Sequence, residues 1–145
     1  MKIFRLLLVF SLLMFGQNVG AQFPEVKSDL DKKVYAFLTE QSGEWQDMNV
    51  PVSDGRILYD LVIQGNYKKA LEIGTSTGHS AIWIAWALSK TGGKLVTIEI
   101  EKERYLQAMR NFRKAGLFSY IDARLGNAHE LVPMLEAGWD FVFCD

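Results

Sequence analysis

Three carboxylates and a pair of glycines stand where this sequence could do chemistry. Glu72 lies near the end of the short run 70–73 and is followed by Gly74 and Gly78, a spacing that permits a tight turn and a close backbone approach to a ligand. Glu99 closes the next β-branched run, 25 residues beyond Gly74, and an acid about 20 residues past such a turn is placed to accept hydrogen bonds from ribose hydroxyls. Glu101 has the same strand parity as Glu99, so alternation does not choose between them, and position at the strand end favours Glu99. Asp145 follows Phe141-Val142-Phe143-Cys144, and a carboxylate at a strand end suits a hard divalent cation or a polar ligand group, or caps a helix. His79 and His129 are the only histidines and form no close-spaced metal motif. The chain has no Gly-x-Ser-x-Gly elbow, and no lysine follows the glycine turn as in a P-loop.

The elements that must carry these residues follow from periodicity. Ser28 and Asp31 resemble a capping box with Asp in place of Glu, ahead of a helix with Leu30, Val34, Phe37 and Leu38 on one face, ending near 42–43. Residues 44–52 read as a loop whose Trp45 and Met48 cover either the core or a ligand. Ser53 is the expected N-cap of a second helix, stopped by Gly65-Asn66. Strands are expected at 69–73, 94–100, 120–125 and 139–144. Helices are expected at 80–89 and 102–115, with a short one at 128–135 interrupted by Pro133. Alternating strands and helices predict a parallel sheet with flanking helices. Cys144, the only cysteine, is expected to be a buried small apolar residue. The sheet stops with its fourth strand, and parallel sheets need both faces covered. Residues 22–145 are therefore expected to be the N-terminal part of a larger domain.

Composition bounds the partners. Lys2 and Arg5 precede the apolar run 6–15, and Val19-Gly20-Ala21 offers small residues for cleavage, so 1–21 reads as a signal peptide and the protein as exported. A cytoplasmic location follows if that segment is not functional. The run is short for a permanent membrane span. With net charge −1 and no basic block, nucleic acid is not an expected partner.

The ordered set Glu72-Ile73-Gly74-Thr75-Ser76-Thr77-Gly78-His79-Ser80, Val96-Thr97-Ile98-Glu99-Ile100, Gly126-Asn127-Ala128-His129 and Asp140-Phe141-Val142-Phe143-Cys144-Asp145 resembles the class I S-adenosylmethionine-dependent O-methyltransferases of the catechol O-methyltransferase type. The resemblance runs from about Glu44 to Asp145 and implies a Rossmann-like methyltransferase fold, truncated after the fourth strand. It implies methyl transfer from S-adenosylmethionine to a hydroxyl of a small, diol-like aromatic acceptor, assisted by Mg²⁺ or a similar cation. Met48, Asn49 and Val50 resemble the segment that folds over the methionine end of the cofactor. Val50, Glu72, Gly74 and Ser80 would line that end, with Thr75 and Gly78 in the same loop. Glu99 would hold the ribose and Ile100 would pack on the adenine. Asn127, Ala128 and His129 would border the adenine, and Asp145 would be the first metal ligand. Asn127 stands where many bacterial members carry Asp. The rival readings are a non-catalytic cofactor-binding module and, since the strand–glycine–helix–acid order is shared, a nicotinamide-dependent oxidoreductase. The missing middle glycine of Gly-x-Gly-x-x-Gly argues against the oxidoreductase.

Overall fold

The computed structural model describes residues 23–42 and 50–145. The signal-peptide reading of 1–21, and the loop residues Trp45, Met48 and Asn49, lie outside the described residues. Helix α1 (Asp29–Glu40) is followed by α2 (Val52–Gly65), β1 (Lys69–Ile73), α3 (His79–Thr91), β2 (Lys94–Glu99), α4 (Lys102–Ala115), β3 (Ile121–Leu125), α5 (Ala128–Leu131) and β4 (Phe141–Cys144). All pairings are parallel and the strand order is β3-β2-β1-β4. Consecutive strands step away on one side of β1, and β4 returns to its other side. Such a reversal leaves a crevice outside the carboxyl ends of the strands that flank it, β1 and β4.

α3 is the centre of the packing. Every residue from His79 to Leu88 is buried, including Ile82, Trp83, Ile84, Trp86 and Leu88. The helix is closed in by β2, α1 and α2. A helix apolar around its circumference has no solvent face to spend, and each large side chain it buries contributes about 1.5–3 kcal/mol.

The start of α1 joins that core through one carboxylate. Ser28 Oγ accepts from Asp31 N at 3.1 Å and Asp31 Oδ2 accepts from Ser28 N at 2.8 Å, so the capping box forms with Asp at its third position. Asp31 Oδ1 also accepts from Trp86 Nε1 at 2.7 Å and pairs with the Lys90 ammonium, both on α3. Burial alone would push the Asp31 carboxyl up. The hydrogen bonds from Lys90, Trp86 and Ser28 outweigh it and hold the group well below the usual carboxylate range. Asp31→Ala is therefore expected to cost about 2 kcal/mol, chiefly because the Trp86 N–H is left buried without its acceptor. Lys90 is partly exposed and turns to water in the variant, so losing its partner costs less than orphaning the buried indole N–H. A Tm lower by roughly 5 °C at pH 7 checks this. The gap between the two proteins narrows as the pH falls below the ordinary Asp value of 3.8, because the charge-dependent part of this stabilisation lasts only while the carboxyl is ionised.

Three expectations are corrected. Ser53 is not the cap of α2: the Pro51 carbonyl accepts from Asp54 N and Gly55 N, so the helix starts at Val52, and the Ser53 hydroxyl donates to Asp54. Proline's fixed φ sets the entry to that turn one residue earlier than a serine cap would. β4 begins at Phe141 rather than Trp139, because Asp140 Oδ2 accepts from Lys68 N and Lys69 N and fastens the start of β1. Cys144 is exposed, as is Val142. They alternate with half-buried Phe141 and Phe143 along the strand.

Candidate cofactor site

The glycine turn is built by its neighbours in the sheet. Ile98 O accepts from both Gly74 N and Thr75 N at 3.0 and 3.2 Å, and Gly78 N donates back to Thr75 O at 2.9 Å. Gly74, Ser76 and Gly78 all have positive φ, at 94°, 50° and 95°. At Gly78 a Cβ would meet Phe112 at 2.5 Å, so glycine is needed there for conformation and for the approach of α4. Asn111 of α4, buried, donates from Nδ2 to Thr77 O at 2.8 Å and fixes the far side of the turn. α3 starts at His79, one residue earlier than the sequence suggests, with Gly78 as its cap residue.

Glu99 is 5% exposed at the end of β2. Its Oε2 accepts from Ser76 N at 2.7 Å and its Oε1 from Glu101 N at 2.9 Å. Each carboxylate oxygen keeps a further acceptor site, so the group is held in place and can still take two hydroxyls. Glu101, which strand parity leaves as an alternative, is exposed and is the cap residue of α4.

Glu72 is fully buried beneath the turn. Ser80 Oγ donates to its Oε1 at 2.6 Å and Thr97 Oγ1 donates to its Oε2, while Thr97 and Thr75 share a hydrogen bond at 2.5 Å. Burial pushes its carboxyl up to about 7. The Ser80 and Thr97 hydroxyls oppose that rise, and the charges of Asp145 and Glu99 add to it. It is thus the floor of the turn rather than an open acceptor, and Thr75 and Ser80, 1% and 4% exposed, lie beside it. His79, also buried, accepts from Trp83 Nε1 at 3.3 Å. Burial holds its imidazole down at about 4, against a backbone hydrogen bond with Val50. That bond brings half-buried Val50 to the start of α3.

A crevice of about 200 Å³ opens at the carboxyl edge, lined by Ile73, Gly74, Ile98, Glu99, Ile100, Gly126, Asn127, Ala128 and Asp145. A second of about 290 Å³, lined by Ile73, Ala128, His129, Val132 and Pro133, shares two of these residues. Together they reach the usual size of small-molecule sites, roughly 300–1,000 Å³. Gly74 belongs in the wall because a Cβ there would come within 2.9 Å of Asp145 O. Ile100 is 62% exposed and offers an apolar face. Asn127 caps α5 by accepting from His129 N at 3.0 Å, which leaves its amide NH₂ to donate elsewhere.

The fold therefore gathers Gly74, Glu99, Ile100, Asn127, Ala128 and Asp145 around one crevice and sets His129 in the adjoining one. It places Glu72, Thr75, Gly78 and Ser80 underneath. Met48 and Asn49 lie outside the described residues. Sequence reasoning missed Thr97, Ser76 and Asn111. A threonine in a β-branched run and an asparagine in a polar helix carry no distinguishing signal. Among the described residues no group of three His, Cys, Asp or Glu side chains could hold a metal ion. A hard cation takes six or more oxygens, and Asp145 alone does not build that site.

Comparison with known proteins adds an independent line. A family model described as O-methyltransferase matches residues 24–145. The catechol O-methyltransferase of Niastella koreensis is 36% identical over 102 residues, covering 68% of this chain and 46% of the relative. Caffeoyl-CoA O-methyltransferase 1 of Eucalyptus globulus is 32% identical over 106 residues, covering 70% and 43%. Among solved structures, the O-methyltransferase from Bacillus cereus in complex with S-adenosylhomocysteine superposes with a TM-score of 0.68 at 28% identity, covering 89% of this chain and 59% of that one. The O-methyltransferase TomG from Streptomyces achromogenes, in complex with S-adenosylmethionine, gives 0.65 at 31% identity, covering 82% and 54%. The chain spans about half the length of the relatives it matches.

Proposed function

The chain belongs to the O-methyltransferase family, and from that premise we propose that its crevice holds S-adenosylmethionine and that the whole protein methylates a hydroxyl of a small, diol-like aromatic acceptor. The observation that carries the reading is Glu99, a carboxylate fixed by two backbone N–H groups at the mouth of the crevice and still able to accept from two neighbouring hydroxyls. The cofactor supplies an electrophilic methyl group on a sulfonium. Glu99 takes the ribose diol and Ile100 covers the adenine face. Asn127, Ala128 and His129 border its edge. Gly74 lets the chain come close, and Val50 and the first turn of α3 border the methionine end. The buried hydrogen bonds of Glu72, Ser80, Thr75 and Gly78 keep that turn rigid, which is how a protein contributes when the chemistry is positioning.

Metal assistance is part of the proposal for the whole protein, with Asp145 contributing one carboxylate. A second reading, favoured by Asp145 being the one candidate ligand among the described residues, is cofactor binding without methyl transfer. Export directed by residues 1–21 is likewise proposed. N-terminal sequencing of the mature protein that begins at Gln22 supports it, and retained Met1 overturns it.

Thermal-shift titration separates the methyltransferase reading from nicotinamide chemistry. S-adenosylhomocysteine is expected to raise Tm by several degrees at concentrations well above its Kd, with NAD giving none. A rise with NAD alone would remove the proposal.

A further inference from the structure

We propose that Thr97, in the interior of β2, is a positioning residue for the cofactor turn, linking the Glu72 carboxyl below to Thr75 above through one hydroxyl. The inference rests on the cofactor reading of the crevice. Thr97 is wholly buried and a Val would fill its place in a β-branched strand, so packing does not require its oxygen. Its hydroxyl donates to Glu72 Oε2 and shares a second hydrogen bond with Thr75 Oγ1. Thr75 is the hub of the turn: its N–H is held by Ile98 O and its carbonyl holds Gly78 N.

The line of hydroxyls has a direction. An ionised Glu72 only accepts, so Thr97 donates to it and Thr75 must donate to Thr97. A protonated Glu72 can donate to Thr97, whose own proton is then free for Thr75, and the order reverses. Charge at Glu72 thus fixes the proton on Thr75 Oγ1 through Thr97, and its carboxyl titrates near neutrality because it is buried. The other titratable groups at this edge are Glu99 on β2, Asp145 after β4 and His79 on α3. The two acids push Glu72 up, and His79, held near 4, stays neutral across its range.

The test compares wild type, Thr97→Val and Thr97→Ser. Affinity for S-adenosylhomocysteine is measured by calorimetry across pH, and the Glu72 side-chain carboxyl is followed by ¹³C NMR, assigned with Glu72→Gln. Thr97→Val is expected to bind about tenfold more weakly, since Thr75 loses the hydroxyl that orients it in the turn. Its Glu72 midpoint should move above the wild-type value, and Thr97→Ser should restore both. Affinity within twofold of wild type in Thr97→Val overturns the proposal, whatever the midpoint does. So does a loss that Thr97→Ser fails to rescue, which would mark a packing role. If wild type itself does not bind S-adenosylhomocysteine, the cofactor reading falls. In that case a midpoint raised in Thr97→Val and restored in Thr97→Ser keeps Thr97 as the partner that orients the turn, and an unmoved midpoint overturns it as well.

Discussion

Glu99→Gln is expected to weaken S-adenosylhomocysteine binding about a hundredfold. The substitution keeps the size and shape of the side chain and still cannot be accommodated electrostatically. Oε2 accepts from Ser76 N and Oε1 from Glu101 N, so whichever way the amide is turned its NH₂ faces a backbone donor. The charge that strengthens the bonds to the two ribose hydroxyls is lost as well. Hydrogen bonds to a charged group contribute about 1.5–3 kcal/mol each, and about 1.4 kcal/mol is tenfold in affinity. Loss of one such bond together with the donor conflict reaches the hundredfold figure. Calorimetric titration measures it, with the exposed neighbour Glu103→Gln as a control expected to bind like wild type. A Glu99→Gln protein that binds as tightly as wild type would sink the ribose assignment.

The second large effect is on stability and comes from Glu72. Its carboxyl is raised in the fold from 4.5 to about 7, so between those values the folded protein keeps a proton that the unfolded chain releases. The unfolded state then binds fewer protons than the native one, and stability falls as pH rises through this window. The fall amounts to about 3 kcal/mol by the time the pH has passed 7, since each tenfold difference in proton affinity between the two states is worth about 1.4 kcal/mol. Glu72→Gln removes it, because an amide does not titrate, although its NH₂ brings a second N–H that the protonated acid lacks. Urea denaturation should therefore find wild type losing about 3 kcal/mol of stability relative to the Gln variant between about pH 4.5 and about pH 8. Parallel curves over that range would show that Glu72 is not held neutral by burial.

The acid that would hold the ribose and the acid that floors the turn look alike in the sequence. Each closes a β-rich run, and nothing local says that one is shut under the turn while the other lines a crevice. Glu72 is expected to line the methionine end of the cofactor, yet both its oxygens are occupied by hydroxyls from α3 and β2. The capping box at Ser28 and Asp31 is legible because its partners are three residues apart. The bond from Trp86 to Asp31 spans 55 residues and leaves no trace in either neighbourhood. Cys144 is misread for a related reason: alternation says that it faces opposite to Phe143, but not whether that face is covered.

What the sequence by itself determined here is the order of the elements, the parallel sheet, the place of the glycine turn and the family resemblance carried by its motifs. These rest on signals that act within a few residues: apolar periods of two and 3.6, glycines where φ is positive, caps next to the helices they start. Only the tertiary structure decided which carboxylate is buried, which is held open by backbone donors, and that Thr97 and Asn111 serve the turn. Solvation and hydrogen-bond partners at these positions are set by strands and helices far apart in the chain, and a pKa or a free acceptor site exists only once those elements have packed.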